Sequence, residues 1–550
     1  MIRRLFALLV LTLLAPLSVT LAQSAAASAG TARAQTTNGA VQGITLASGA
    51  RSFRGIPYAA PPVRDLRWKP PQPVRSWQGV RPADRFEHQC LQARAFGDMM
   101  FRNSGGSEDC LYVNVWTPPN AAPNAKLPVL FYIFGGGWVA GDGSEPRYDG
   151  ESMAKRGIVV VTLSHRLGIF GYFAHPELTA ESPQRAAGNY GYMDQTAALR
   201  WVRDNIAAFG GDPQAVTIAG ESAGSYAVSA QMASPTAKGL FARAIGESGA
   251  HFGTTLAVPT RAESEQNGVR FAEGVGARSL AELRALSATE VLEASGRPGV
   301  PRFTANVDGW FFPKAPTAIY AVGEQAKVPL LAGWNSQEMT GRSLLQGQGD
   351  ATPERARAIL VQQFGARAGE AEQVFPVGSA SEAMQSLTEL ARDRFIGHST
   401  WKWLEEHART SGQPVFRYLY ARPRPAPVEA GVTANLAGGV TRGSGNAPPP
   451  PPATGAVHAA EIEYALGNLH LNKVFAWTPD DYKVSETMQG YFANFIKRGD
   501  PNGPGLPAWP RGEVTNGQAR RIRIDVDTHA EPEPRVRYLF LDQPAAGARP

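Results

Sequence analysis

The chain has 550 residues, 43% of them hydrophobic and 19% charged, a globular balance that excludes wholesale disorder and collagen-like repeats. Lysine plus arginine exceed the acidic residues by 54 to 48, a formal charge of +6; with no dense basic stripe interleaved with aromatics, this is not a nucleic-acid footprint. Two cysteines exclude a disulfide-dense scaffold and a four-thiolate metal site.

The first 34 residues read as an export signal and its cleavage zone. Arg3 and Arg4 precede an apolar run over 5–21, and small residues fill 22–34. Cleavage fits after Ala22, or after Ala34, where Ala32-Arg33-Ala34 has the A-x-A form. Pro16 and the short run make a poor membrane span, and no later segment is long enough for one. The mature chain, 35–550, is expected to be soluble, secreted or periplasmic, with no stable membrane insertion. In that compartment Cys90 and Cys110 should pair, and closing such a loop is worth about 3 kcal/mol.

The predicted elements alternate. Residues 41–115 are rich in Gly, Pro and short β-prone runs. The continuous apolar runs 129–134 and 158–163 suit strands buried on both faces. A helix is expected over 194–206, ended by the breakers at 209–213. A strand over 215–219, a tight turn and a helix over 226–232 follow. Residues 261–295 are helix-prone, 328–334 is another apolar run, and 415–420 is a strand. The pattern predicts one large α/β unit with helices on both faces of a mostly parallel sheet. An insertion at about 422–454, carrying five prolines at 448–452, is either a stiff flap over the site or a passive surface loop.

One segment carries chemistry. Gly220-Glu221-Ser222-Ala223-Gly224 is the single G-x-S-x-G of the chain. It lies between an expected strand and an expected helix, as a nucleophile elbow requires. A serine hydroxyl needs a base and needs donors for the oxyanion it creates. Gly135-Gly136-Gly137 follows the run at 129–134, and its backbone N–H groups, with that of Ala223, are placed to be those donors.

The chain here resembles the type-B carboxylesterases, the branch of α/β-hydrolases that also holds the cholinesterases. The resemblance rests on the elbow together with Phe53-Arg54-Gly55-Ile56-Pro57-Tyr58-Ala59, Ser107-Glu108-Asp109-Cys110-Leu111-Tyr112-Val113-Asn114-Val115-Trp116, Gly188-Asn189-Tyr190-Gly191-Tyr192-Met193-Asp194-Gln195 and the closing Gly499-Asp500-Pro501-Asn502-Gly503-Pro504. It implies an α/β-hydrolase fold and a triad in the order serine, acid, histidine. The acid then falls on Glu338, after a strand and a Gly-containing turn. The base falls on His458, in His458-Ala459-Ala460-Glu461. It further implies oxyanion donors at Gly136, Gly137 and Ala223, and a structural ion pair between Arg54 and Glu108. Phe134 and Trp138 become candidate pocket walls. No metal and no cofactor are implied.

Between Cys90 and Cys110 there is no Trp, only Phe96 and Phe101 as aromatics, which argues against a choline substrate. The expected activity is hydrolysis of neutral or aromatic small-molecule carboxylic esters through an acyl-enzyme. Amide, lactone or carbamate hydrolysis, or acyl transfer, would use the same groups. A non-catalytic adhesion protein on this fold would have lost one of them.

Overall fold

The computed structural model describes residues 31–253, 257–346, 349–434, 437–442, 454–514 and 516–543. Its centre is a 13-stranded sheet. In chain order the strands are β1 (Thr31–Thr36), β2 (Gly39–Thr45), β3 (Arg51–Pro57), β4 (Val80–Pro82), β5 (Tyr112–Thr117), β6 (Leu127–Ile133), β7 (Val159–Leu163), β8 (Gly211–Glu221), β9 (Arg243–Glu247), β10 (Leu330–Asn335), β11 (Val415–Tyr420), β12 (Arg520–Ile524) and β13 (His529–Pro532). Across the sheet the order is β1-β2-β3-β5-β7-β6-β8-β9-β10-β11-β12-β13, with β4 beside β2. The strands from β7 to β12 in this order run parallel, and antiparallel strands flank them on both sides. This is the mostly parallel sheet expected from the alternating elements, in the α/β-hydrolase arrangement that the family resemblance implies.

Strand alternation divides the apolar side chains between two cores. Val129, Phe131 and Ile133 of β6 enter one core, and Leu130 and Tyr132 enter the other. Helix α1 (Tyr190–Asn205) and helix α2 (Ala223–Ala233) cover the first face, and α3 (Pro479–Arg498) covers the second. Burial on both faces is why the strand runs read as continuous apolar segments. Helix α1 begins four residues earlier than expected, because its first turn is buried and Asp194 locks onto Arg166 at 2.7 Å inside the protein.

The amino-terminal strand bears on the cleavage point. β1 pairs with β2 along its whole length, Ala34 opposite Val41, and Ala32 and Ala34 are buried. Cleavage after Ala34 would remove most of this strand; the other point, Ala22, lies outside the described residues. Cys90 and Cys110 form the expected disulfide.

Glu108 is not paired with Arg54. It takes a forked contact from Arg67, Nε to Oε1 at 2.6 Å and Nη2 to Oε2 at 2.7 Å. Arg54 lies on β3, next to the register shift between Phe53 and Ile56. Its side chain donates to Ser52 Oγ at 3.0 Å and stacks over Phe86.

Candidate active site

The elbow follows from close packing. β8 ends at Glu221 and α2 starts at Ala223, which leaves Ser222 alone on the turn at φ 55°, ψ −124°. A non-glycine residue holds such a conformation at a cost of about 1–3 kcal/mol. Two backbone bonds secure it: Ser222 N–H donates to Glu247 O at 2.8 Å, and Tyr226 N–H donates to Ser222 O at 3.0 Å. The flanking glycines have no space for a side chain. A Cβ on Gly220 would lie 2.6 Å from Ile133 O, and one on Gly224 2.1 Å from the same oxygen.

The candidate acid and base come from loops stitched to each other. Glu338 follows the end of β10 and is buried. Gln337 N–H donates to Ala456 O at 2.8 Å, and Asn335 Nδ2 donates to Val457 O at 2.8 Å, so the loop bearing His458 is tied to the loop bearing Glu338. Glu338 accepts from Asn335 N–H at 2.7 Å and from Ser248 Oγ, and its Oε2 meets His458 Nδ1 at 2.6 Å. That contact puts the imidazole proton on Nδ1 and leaves Nε2 free to accept from Ser222 Oγ at 2.9 Å. Residues 222, 338 and 458, separated by more than a hundred positions each, therefore lie in one hydrogen-bonded line.

Beyond β6 the chain turns at Gly136 (φ 114°) and Gly137 (φ 62°). A Cβ on Gly136 would lie 2.1 Å from Ala140 O. Among the described residues, the N–H groups of Gly136, Gly137 and Ala223 are given to no backbone acceptor. All three residues line the same cavity as Ser222 and His458, about 340 Å³ in volume. Three free donors beside a serine are what a developing oxyanion requires.

The Carboxylesterase family matches residues 30–537. The chain belongs to this family. It is 34% identical to the fumonisin B1 esterase of Sphingopyxis macrogoltabida, over 87% of this chain and 84% of that one. It is 33% identical to carboxylesterase 1D of Rattus norvegicus, over 87% and 86%. Among solved structures it resembles a PNB esterase, with a TM-score of 0.75 and 30% identity over 93% of this chain and 99% of that one. It also resembles a carboxylesterase of Geobacillus stearothermophilus, with a TM-score of 0.75 and 28% identity over 93% and 100%. The protein is a carboxylic ester hydrolase acting on small ester substrates.

The esterase cavity is walled by Trp138, Tyr226, Phe96, Met99, Phe395 and Met339. Trp138 is where the sequence suggested, its Nε1 donating to Tyr192 Oη at 2.9 Å. Phe134 is not on the wall. It directly follows β6, and its ring stacks on His165 with centroids 4.5 Å apart, against the backbone of Gly141. Part of the insertion does reach the cavity, since Ala437 lines it. Gly438 and Gly439 are bonded to Asn472 Nδ2 and to Asp98 Oδ2. The polyproline run lies outside the described residues.

Apart from Glu338, the carboxylates around His458 carry no role in the sequence analysis. Glu221 Oε1 lies 3.3 Å from His458 Nε2 and accepts no hydrogen bond from any described residue. Glu461 accepts from Asn335 Nδ2, and its Oε1 lies 3.4 Å from Ser248 Oγ, whose proton goes to Glu338. Glu247 is wholly buried with neither oxygen bonded. Burial pushes Glu221 up to about 7, with the His458 and Arg147 charges opposing the rise. Burial, joined by Glu221 and Glu338, lifts Glu461 to about 8. Burial, joined by Glu461 and Glu221, raises Glu247 well above the carboxylate range. For His458 burial works downward, but Glu221, Glu338 and Glu461 outweigh it and raise the imidazole to about 9. No motif demands these glutamates. Glu221 stands at a variable position of G-x-S-x-G, and Glu461 closes the H-x-x-E stretch that marks His458 without a role of its own being assigned to it. Among the described residues no group of three or more His, Cys, Asp or Glu is arranged to hold a metal, and there is no helix long and apolar enough to cross a membrane.

Proposed function

We propose that the chain is an exported serine esterase working through an acyl-enzyme. Ser222 Oγ attacks the ester carbonyl carbon and its proton passes to His458 Nε2. The carbonyl oxygen, now negative, is received by the N–H groups of Gly136, Gly137 and Ala223. As the tetrahedral intermediate collapses, the C–O bond to the alcohol breaks and the imidazolium gives its proton to that alcohol. Water then repeats the sequence on the acyl-enzyme, releasing the acid and restoring Ser222. Glu338 orients the imidazole and stabilises its cation. Export follows from the basic start and apolar run at the amino terminus, with cleavage on the N-terminal side of β1, after Ala22.

The observation that carries the mechanism is His458, bridging Ser222 Oγ at 2.9 Å and Glu338 Oε2 at 2.6 Å. Ser222→Ala is expected to abolish hydrolysis of p-nitrophenyl esters while the folded spectrum is unchanged. An organophosphate should label Ser222 and no other serine in the parent protein. Full activity in the purified variant ends the reading.

A further inference from the structure

Arg302 stands on the wall of the catalytic cavity. One of its Nη2 protons is donated to Gly137 O, and the guanidinium carbon lies 5.8 Å from the centroid of the Trp138 ring. The cavity's other arginine, Arg147, is neutralised by Glu145 at 2.9 Å. Arg302 meets no carboxylate among the described residues; its partners are that carbonyl and that ring face. The cavity's carboxylate, Glu221, is turned to His458 instead. A guanidinium has five N–H donors in a flat fork that matches a carboxylate. One donor is occupied here; the side chain is otherwise exposed, and it lines a cavity whose wall is largely apolar. Gly137, whose carbonyl anchors Arg302, is also one of the proposed oxyanion donors, so a group bound at Arg302 lies a few bonds from the reacting carbonyl.

We propose that Arg302 is a carboxylate receptor that makes the enzyme prefer esters carrying a second, free carboxylate, such as hemiesters of short dicarboxylic acids. The proposal rests on the serine-esterase reading and adds the substrate class to it. The aromatic wall holds the apolar part of the substrate and the guanidinium holds the anionic end. The free carboxylate can belong to the acyl half or to the alcohol half, and paired substrates separate the two. Mono-4-nitrophenyl glutarate is compared with its neutral methyl-capped analogue, and 3-acetoxybenzoate with its methyl ester.

The quantity read is kcat/KM for the charged member of each pair divided by that for the neutral member. Arg302→Met is expected to lower this ratio about tenfold to a hundredfold on one pair, the worth of a charge-assisted hydrogen bond. Arg302→Lys should retain part of it, and Arg302→Glu should invert it. Added salt should lower the parent enzyme's ratio, a readout that needs no variant to fold. The same ratios in parent and Arg302→Met on both pairs, or a parent ratio indifferent to salt, overturn the receptor. Hydrolysis of the neutral esters in either of those cases leaves the serine-esterase reading standing. A parent enzyme that cleaves none of the four esters removes that reading, and the receptor with it.

Discussion

His458 lies between two carboxylates that are equally buried and differently equipped. On its Nδ1 side Glu338 is met by three donors, one from its own loop, one from Ser248 and one from the imidazole. On its Nε2 side Glu221 Oε1 accepts no hydrogen bond from any described residue, with the imidazole Nε2 3.3 Å away. The first arrangement fixes position: with its oxygens engaged, Glu338 cannot turn away and the ring cannot rotate. The second sets charge: Glu221 has little hydrogen bonding to balance its burial, so it titrates near neutral pH and raises its neighbour. In the proposed mechanism one carboxylate decides where the base is, and the other decides when it is charged.

Substitution of each by its amide separates the two roles. Glu338→Gln keeps the shape but offers Nδ1 an amide that can turn its NH2 toward the ring, favouring the wrong tautomer. A loss of roughly 10³- to 10⁴-fold in kcat is expected, the scale seen when a triad acid becomes its amide. Steady-state kinetics on a p-nitrophenyl ester give the number, and a loss below tenfold would mean that Glu338 does not orient the base. Glu221→Gln should cost far less, about tenfold on the alkaline plateau where the imidazole is neutral in both proteins, within the usual worth of one charge contact. Its signature is the pH profile. In the proposed mechanism neutral His458 is the working base, so kcat/KM should rise with pH through the pKa of the imidazole. Glu221 is one of the charges that raise that pKa; its removal should move the rising limb to lower pH. A limb that stays in place, or moves to higher pH, breaks the division of labour between the two glutamates.

The parts of this site that were legible in the sequence are those where backbone geometry restricts residue choice. Gly220 and Gly224 are demanded by contacts near 2 to 3 Å that leave no room for a Cβ, and a local word such as G-x-S-x-G records that demand. Glu338 and His458 needed the family resemblance, because a loop carboxylate and a lone histidine carry no local mark. The strand runs were legible because burial on both faces makes them continuously apolar, while the start of α1 was missed because its first turn is buried too. Phe134 was misplaced as a wall residue because the composition of the glycine-rich turn does not tell which way the side chain before it points. Arg54 was given the partner of Arg67, since nothing local says which of two nearby arginines the fold brings to Glu108. Arg302 was invisible for a different reason. It reaches Gly137 across 165 positions, and only the folded chain puts the two together.

The smallest expected effect tests the charge-setting side at one remove, through Glu461, which touches Asn335 and Ser248 but not the imidazole. Its pKa is raised by burial and by Glu221 and Glu338 to about 8, from an ordinary value of 4.5. The native state therefore binds this proton more tightly than the unfolded chain does. The resulting stability is fully present below about pH 4.5 and is lost as pH rises through about 8. Glu461→Gln deletes that dependence. The amide oxygen can still accept from Asn335, and the amide nitrogen can donate to Ser248 Oγ, so little is lost at acid pH. Raised groups elsewhere, Glu221, Glu247 and His458, slope the same way in both proteins; those coupled to Glu461 slope less once its charge is gone, which adds to the difference. The melting temperature of the variant relative to the parent should thus climb between pH 5 and pH 8, by a few degrees at most in a chain of this length. Thermal unfolding at one fixed scan rate across that range measures it. A difference that is flat, or that falls toward pH 8, would show that Glu461 is not a buried carboxyl held protonated at neutral pH, and the charge-setting role would then contract to Glu221 alone.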